Sequence, residues 1–62
     1  MKKVYIEKQA NNLYEVCFRD DNGMSILAKT RTFQNAVKLM ERFNGYLKEG
    51  RLLPIYKSVY NS

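Results

Sequence analysis

The stretch from Phe18 to Ala36 constrains the fold most, because it contains a turn between two strands and the start of a helix. An alternating apolar segment ends near Phe18, and Asn22 and Gly23 follow it, a dipeptide typical of tight turns between antiparallel strands. A second alternating segment leads to Thr32, after which the apolar residues take helical spacing. The order strand, turn, strand, helix leaves few architectures open to a short chain.

Three segments alternate between apolar and polar side chains, as half-buried strands do. They cover about residues 2–9, 13–20 and 24–31. Asn11 and Asn12 separate the first two segments, and asparagine favours turns because it tolerates left-handed backbone. These segments predict a three-stranded antiparallel sheet.

The loop between the second and third strands decides which residues the sheet buries. A two-residue loop pairs Phe18 with Leu27 and turns Lys29 toward the core. A three-residue loop, residues 21–23, pairs Phe18 with Ile26 and leaves Leu27 on the opposite face. Because a one-residue slip exchanges the whole buried set, the hydrophobic pattern should decide the register, and we expect the three-residue loop.

A helix is predicted after Thr32, whose hydroxyl can cap the free N–H groups of the first turn. The apolar positions that form one helical stripe are Phe33, Ala36, Val37, Met40, Phe43 and Leu47. Gly45 and Gly50 both offer a C-terminal stop. Because Leu47 continues the stripe past Gly45, we expect a helix of about residues 33–49.

The predicted fold is therefore α+β, with the sheet packed on one C-terminal helix in a single domain of residues 1–62. Residues 51–62 form a C-terminal arm, in which about residues 55–60 form either a short edge strand or a segment that packs on another subunit. A chain this short buries only about 60% of its unfolded surface. Self-association or a partner would supply the missing burial.

The residue types argue against catalysis and against cofactors. The chain has no histidine, and Cys17 is its one cysteine, so we expect no disulfide and no metal site, and we expect the thiol to be unreactive. The three glycines are too far apart for a phosphate-binding loop. We therefore expect a protein that is not an enzyme. The lone cysteine and the lack of a secretory signal favour the reducing cytoplasm, and the lack of an apolar membrane span argues against a membrane protein.

The charge pattern favours an anionic partner. The chain has 11 basic and 6 acidic residues, a net charge of +5, and no acidic residue between Asp21 and Glu41. A positive field of this kind favours polyanions or an acidic protein surface.

If the helix covers one face of the sheet, the other face is open to a ligand. We expect this open face to carry Glu15 opposite Lys29, together with Leu27 and several further cations. Arginine and lysine bind phosphates, and free N–H groups at a helix start bind anions. The predicted nucleic-acid-binding residues are Lys3, Tyr5, Arg19, Lys29, Arg31 and Thr32.

The run Thr32-Phe33-Gln34-Asn35-Ala36 after three strands resembles the small sheet-plus-helix modules at the N-terminus of phage and transposon integrases, which are similar to plant AP2 domains. In that family a strand ends in a basic run, and a threonine precedes an acidic-alanine pair that starts the helix. Residues 29–32 and 35–36 stand in those places, but Asn35 replaces the acid and the usual Gly-Phe before the threonine is missing. The resemblance covers about residues 3–49 and implies duplex DNA contacts from the sheet, on Lys3, Tyr5, Arg19, Lys29 and Arg31.

Two classes of function follow. The first is a small DNA-binding accessory protein of a phage or mobile element that grips duplex DNA through the open face and the helix corner. The second is a protein-interaction module that docks on a larger protein. Its predicted partner-binding residues are Leu27, Leu53, Ile55, Tyr56 and Tyr60. RNA binding and a homodimer that uses the open face remain further alternatives.

Overall fold

The computed structural model describes residues 1–56 and confirms the α+β fold. The elements are β1 (Lys3–Ala10), β2 (Leu13–Asp20), β3 (Gly23–Thr30) and α1 (Phe33–Lys48). The strands form an antiparallel sheet in the order β1-β2-β3. Each bound lies within one residue of its prediction.

The turn between β2 and β3 differs from both predicted loops. Asp20 pairs with Gly23, so Asp21 and Asn22 alone form the turn, and the expected three-residue loop is wrong. The Asp20 carboxylate accepts the N–H of Asn22 at 2.8 Å, which stabilises the turn one residue earlier than the Asn-Gly signal suggests. Gly23 then starts β3 with φ 131°, a conformation that glycine adopts without strain.

A bulge in β3 corrects the register within four residues of the turn. Cys17 pairs with Ile26 and Val16 pairs with Ala28, so Leu27 is the extra residue. Beyond the bulge, the register is the one that the three-residue loop predicts, including the pair Val16 and Ala28. The hydrophobic pattern therefore set the register of the far half of the hairpin, and the turn set that of the near half.

The bulge reverses the predicted faces of Ile26 and Leu27. Leu27 is 4% exposed and belongs to the core, so its expected place on the open face is wrong. Ile26 lies opposite Cys17 and is half-buried on the face away from the helix, although we expected it in the core. The physical reason is that Leu27 and Ala28 together oppose Val16 and pack with it under α1.

The helix begins and ends at the predicted signals. Thr32 is the N-cap, and its hydroxyl accepts the N–H of Asn35 at 3.2 Å. The helix continues through Gly45, and Gly50 follows the C-cap with φ 74°. The N–H of Arg51 donates to the carbonyl of Tyr46 at 2.9 Å, which closes the helix in a Schellman motif.

The core lies between α1 and one face of the sheet. Its buried members are Val4, Val16, Leu27, Ala36 and Phe43. Leu53, a predicted partner-binding residue, is half-buried and packs against this core, and it also lines a surface cavity together with Leu52 and Ile55. In residues 1–56 no helix is long and apolar enough to cross a membrane.

The described part of the arm runs beside β3. The N–H of Tyr56 donates to the carbonyl of Ile26 at 2.8 Å, so the arm contacts the free edge of the sheet. Residues 51–56 contain no regular strand, and the rest of the predicted edge strand lies outside the described residues.

Candidate functional site

The open face of the sheet is organised in three cross-strand rows. The cationic row is Lys3, Arg19 and Met24; the central row is Tyr5, Cys17 and Ile26; the glutamate row is Glu7, Glu15 and Lys29. Residues that pair across strands share a face, so these nine side chains lie together. The β3 members differ from the expectation at two places, because Met24 and Ile26 stand where Ser25 and Leu27 were expected.

The open face is less cationic than the sequence suggests. Glu15 is 8% exposed, and its carboxylate accepts the amide of Gln9 at 3.1 Å. The ammonium of Lys29 lies 3.9 Å from the same carboxylate and 5.2 Å from the centre of the Tyr56 ring. The expected pair of Glu15 and Lys29 is therefore confirmed, and this pairing makes the ammonium of Lys29 less available to a ligand. Lys3 and Arg19, which share a row, lie at the other end of the face.

Cys17 is fully buried, and it lies in the central row between its cross-strand partners Tyr5 and Ile26. Burial raises the pKa of its thiol, and the carboxylates of Glu15 and Glu7 raise it further. A thiol with a raised pKa holds little nucleophilic thiolate near neutral pH.

Glu7, Glu15 and Cys17 also have ligand atoms within 4.8 Å of one another. Gln9 donates to both carboxylates at 3.1 Å, and Lys29 pairs with that of Glu15. Contacts within the protein thus account for this cluster without a metal ion.

A second surface lies where the end of β3 meets α1, and it brings three further cations close to Lys29. It is a shallow groove of about 480 Å³. We call it the corner groove, and its lining residues are Lys29, Thr30, Arg31, Asn35, Lys38, Leu39 and Arg42. No carboxylate lines it, and Arg31, Lys38 and Arg42 take part in no ion pair within residues 1–56.

Local structure explains why these cations meet. Asn35, Lys38 and Arg42 are three or four residues apart on α1, so they form one stripe on the helix surface. Arg31 directly follows β3 and precedes the N-cap, which places it at the junction of strand and helix. The stripe and the junction together build the corner groove.

The helix start adds to the positive potential of the groove. The first turn of α1 contains no acidic residue, so no carboxylate neutralises the positive end of the helix dipole. Of the predicted nucleic-acid-binding residues, Lys29 and Arg31 line the groove and Thr32 caps the adjoining helix. Lys3, Tyr5 and Arg19 lie on the open face and do not join them.

Lys38 and Arg42 line the groove but are not among the predicted site residues. A signal was present, because the two residues lie four positions apart on the polar side of the helix and Lys38 belongs to the segment without acids. The sequence pattern does not show that the polar side of α1 lies next to Arg31.

A third surface is apolar and lies along the described part of the arm. Leu52 is 95% exposed and Ile55 is 55% exposed. Both border a cavity of about 320 Å³ with Phe18 and Leu47. Of the predicted partner-binding residues, Ile55 and Tyr56 are exposed, and Tyr60 lies outside the described residues.

Comparisons of the chain with protein-family models, with curated proteins and with solved structures found no match.

Proposed function

We propose that this chain is a small non-enzymatic protein that binds nucleic acid, with duplex DNA as the preferred form. The observation that carries the proposal is the corner groove, where Arg31, Lys38 and Arg42 converge and no carboxylate of residues 1–56 is among the lining residues. Cations that neutralise phosphates supply most of the affinity in sequence-independent binding. The proposed contact thus lies at the helix corner rather than across the open face.

The shape of the groove favours a phosphate backbone over a single small anion. Lys38 and Arg42 are one helical turn apart, about 6 Å along the axis, so they contact separate phosphates along a strand. Among the described residues, 1–56, no aromatic side chain lines the groove. Binding of single strands depends on aromatic residues that stack on bases, so a groove without them fits the backbone of a duplex better.

The charges of the open face also favour the corner groove as the binding site. Glu7 and Glu15 lie on it, and they would repel the phosphates that Lys3 and Arg19 attract. In the part of the chain that the structure describes, no such pair of carboxylates lines the corner groove.

The test measures duplex DNA binding by fluorescence anisotropy over a series of salt concentrations. The double variant K38A/R42A removes two groove cations, and K2A/K8A removes two exposed cations elsewhere, so both variants lose the same net charge. We expect K38A/R42A to weaken binding and to lower the slope of log affinity against log salt by about 1.8, at about 0.9 per phosphate contact. K2A/K8A should leave the slope nearly unchanged. Equal losses in the two variants, or no DNA binding at low salt, would refute the proposal.

A second candidate function is docking on a larger protein through the arm, and the exposure of Leu52 and Ile55 favours it. Apolar docking tolerates salt, whereas phosphate binding does not. We expect L52S/I55S to abolish such docking while K38A/R42A leaves it unchanged. A protein partner that K38A/R42A loses and L52S/I55S keeps would exclude this candidate.

A further inference from the structure

Two pairs of like charges face each other on the open face. Lys3 lies directly opposite Arg19, and Glu7 lies directly opposite Glu15. Like charges in opposing positions of neighbouring strands destabilise a sheet. Contacts within the described chain relieve each pair only in part: Lys3 lies over the ring of Tyr5 at 5.5 Å, Gln9 bridges the two glutamates, and Lys29 lies 3.9 Å from the carboxylate of Glu15.

The two pairs have opposite sign and flank the central row symmetrically. Along β2, Arg19 and Glu15 are each two residues from Cys17, a separation of about 7 Å on either side. The central row between them is apolar or aromatic, and Tyr5 and Ile26 are only half-buried by their neighbours. The face is thus positive at one end, apolar in the middle and negative at the other end.

From this arrangement we infer that a second copy of the chain packs on the open face as a two-fold symmetric dimer. In a two-fold dimer, the same patch of both copies forms the interface and must complement itself. An axis along the central row places the cationic row of each copy over the glutamate row of the other. Each like-charge pair then faces two opposite charges.

The charges also select the direction of the axis. An axis parallel to the strands would place the cationic row over the cationic row and the glutamate row over the glutamate row, which costs energy. With the axis along the central row, β1 lies over β1 of the second copy, and the sheets pack face to face about 10 Å apart. Tyr56 contacts β3 at the margin of the face, so β1 and β2 form the centre of this interface.

This dimer leaves the corner groove accessible, because Arg31, Lys38 and Arg42 lie on the helix side of the sheet. Lys29 belongs both to the groove lining and to the glutamate row, but the three cations that carry the proposed nucleic-acid binding lie outside the interface, so either proposal can fail without the other. Three strands of 8 residues offer a small area, so the dimer belongs to the weak class of interfaces.

The first test is a charge exchange read by sedimentation. Wild type should shift from 7.3 kDa toward twice that mass as its concentration rises to about 1 mM, the range of weak interfaces. K3E/R19E makes both charged rows negative, and E7K makes the glutamate row predominantly positive. Each variant alone should remain a monomer, and an equal mixture of the two should form a heterodimer. Circular dichroism confirms that each variant is folded.

A second measurement uses wild type alone, so it does not depend on how the variants fold. A carbodiimide joins an amine to a carboxylate without a spacer, and Lys3 and Glu7 of one chain lie about 14 Å apart along β1, too far for such a bond. In a mixture of unlabelled and ¹⁵N-labelled protein, we expect Lys3–Glu7 cross-links that contain one labelled and one unlabelled peptide. Any one of three results would overturn the inference. They are a wild type that remains a monomer at about 1 mM, folded variants that do not pair when mixed, and the absence of mixed cross-links.

Discussion

The bulge at Leu27 can be tested by mutation, because the bulged register buries Leu27 under the helix whereas the regular alternation of the strand would bury Ile26 there. Leu27 is 4% exposed in the core, whereas Ile26 is half-buried on the other face. Truncation of a leucine this buried costs about 3 kcal/mol, through lost transfer energy and a cavity. Truncation of the half-buried isoleucine costs about 1 kcal/mol. We therefore expect Leu27→Ala to destabilise the protein about three times as much as Ile26→Ala.

Urea denaturation followed by circular dichroism measures both changes. A protein of this size unfolds with a slope of about 1 kcal/mol per molar urea, so the midpoints should fall by about 3 M and 1 M. The protein concentration is kept near 5 μM, so that the weak association proposed above does not contribute to the stability.

The whole domain has only about 3–9 kcal/mol of stability at 0.05–0.15 kcal/mol per residue, so Leu27→Ala can unfold it. The milder pair Leu27→Val and Ile26→Val then gives the same ranking with smaller steps. A larger loss at Ile26 than at Leu27, in either pair, would refute the bulged register and restore the three-residue loop.

Three further predictions test local features of the chain. Thr32→Ala should lower the free energy of unfolding by about 1 kcal/mol while Thr32→Ser leaves it nearly unchanged, because the cap needs a hydroxyl; an equal loss in both would contradict the cap. Gly45→Ala should stabilise the helix by up to about 1 kcal/mol, because a Cβ there meets nothing within 4 Å, whereas Gly50→Ala should destabilise it by about 1 kcal/mol because φ is 74°. Thermal melts that shift both in the same direction would contradict that contrast. Cys17 should react with iodoacetamide far more slowly in the folded protein than in urea, since burial hides the thiol and raises its pKa; equal rates would show that it is exposed.

Local signals in the sequence were sufficient to predict the fold. Alternation defined the three strands, Thr32 and Gly50 marked the two ends of the helix region, and the spacing of apolar residues defined the helix. These features depend on residues close to one another in the chain, which is why each bound was correct to within one residue.

The predictions that were wrong concern features that depend on contacts between distant parts of the chain. The turn after Asp20 and the pairing of Val16 with Ala28 require registers that differ by one residue, and the bulge at Leu27 accommodates both. The position of this bulge depends on packing against α1 and not on a local dipeptide. Similarly, Lys38 joins the site only because one side of α1 lies beside the end of β3. Periodicity shows that a side chain is polar, but it does not show which neighbours it meets.

The central claim is that phosphates bind at the corner groove, and an NMR titration of ¹⁵N-labelled protein with short duplex DNA at low salt tests it most directly. We expect the largest amide shifts at Arg31, Lys38 and Arg42, with little change at Lys3 and Arg19. The largest shifts at Lys3 and Arg19, or none anywhere in the spectrum, would contradict it.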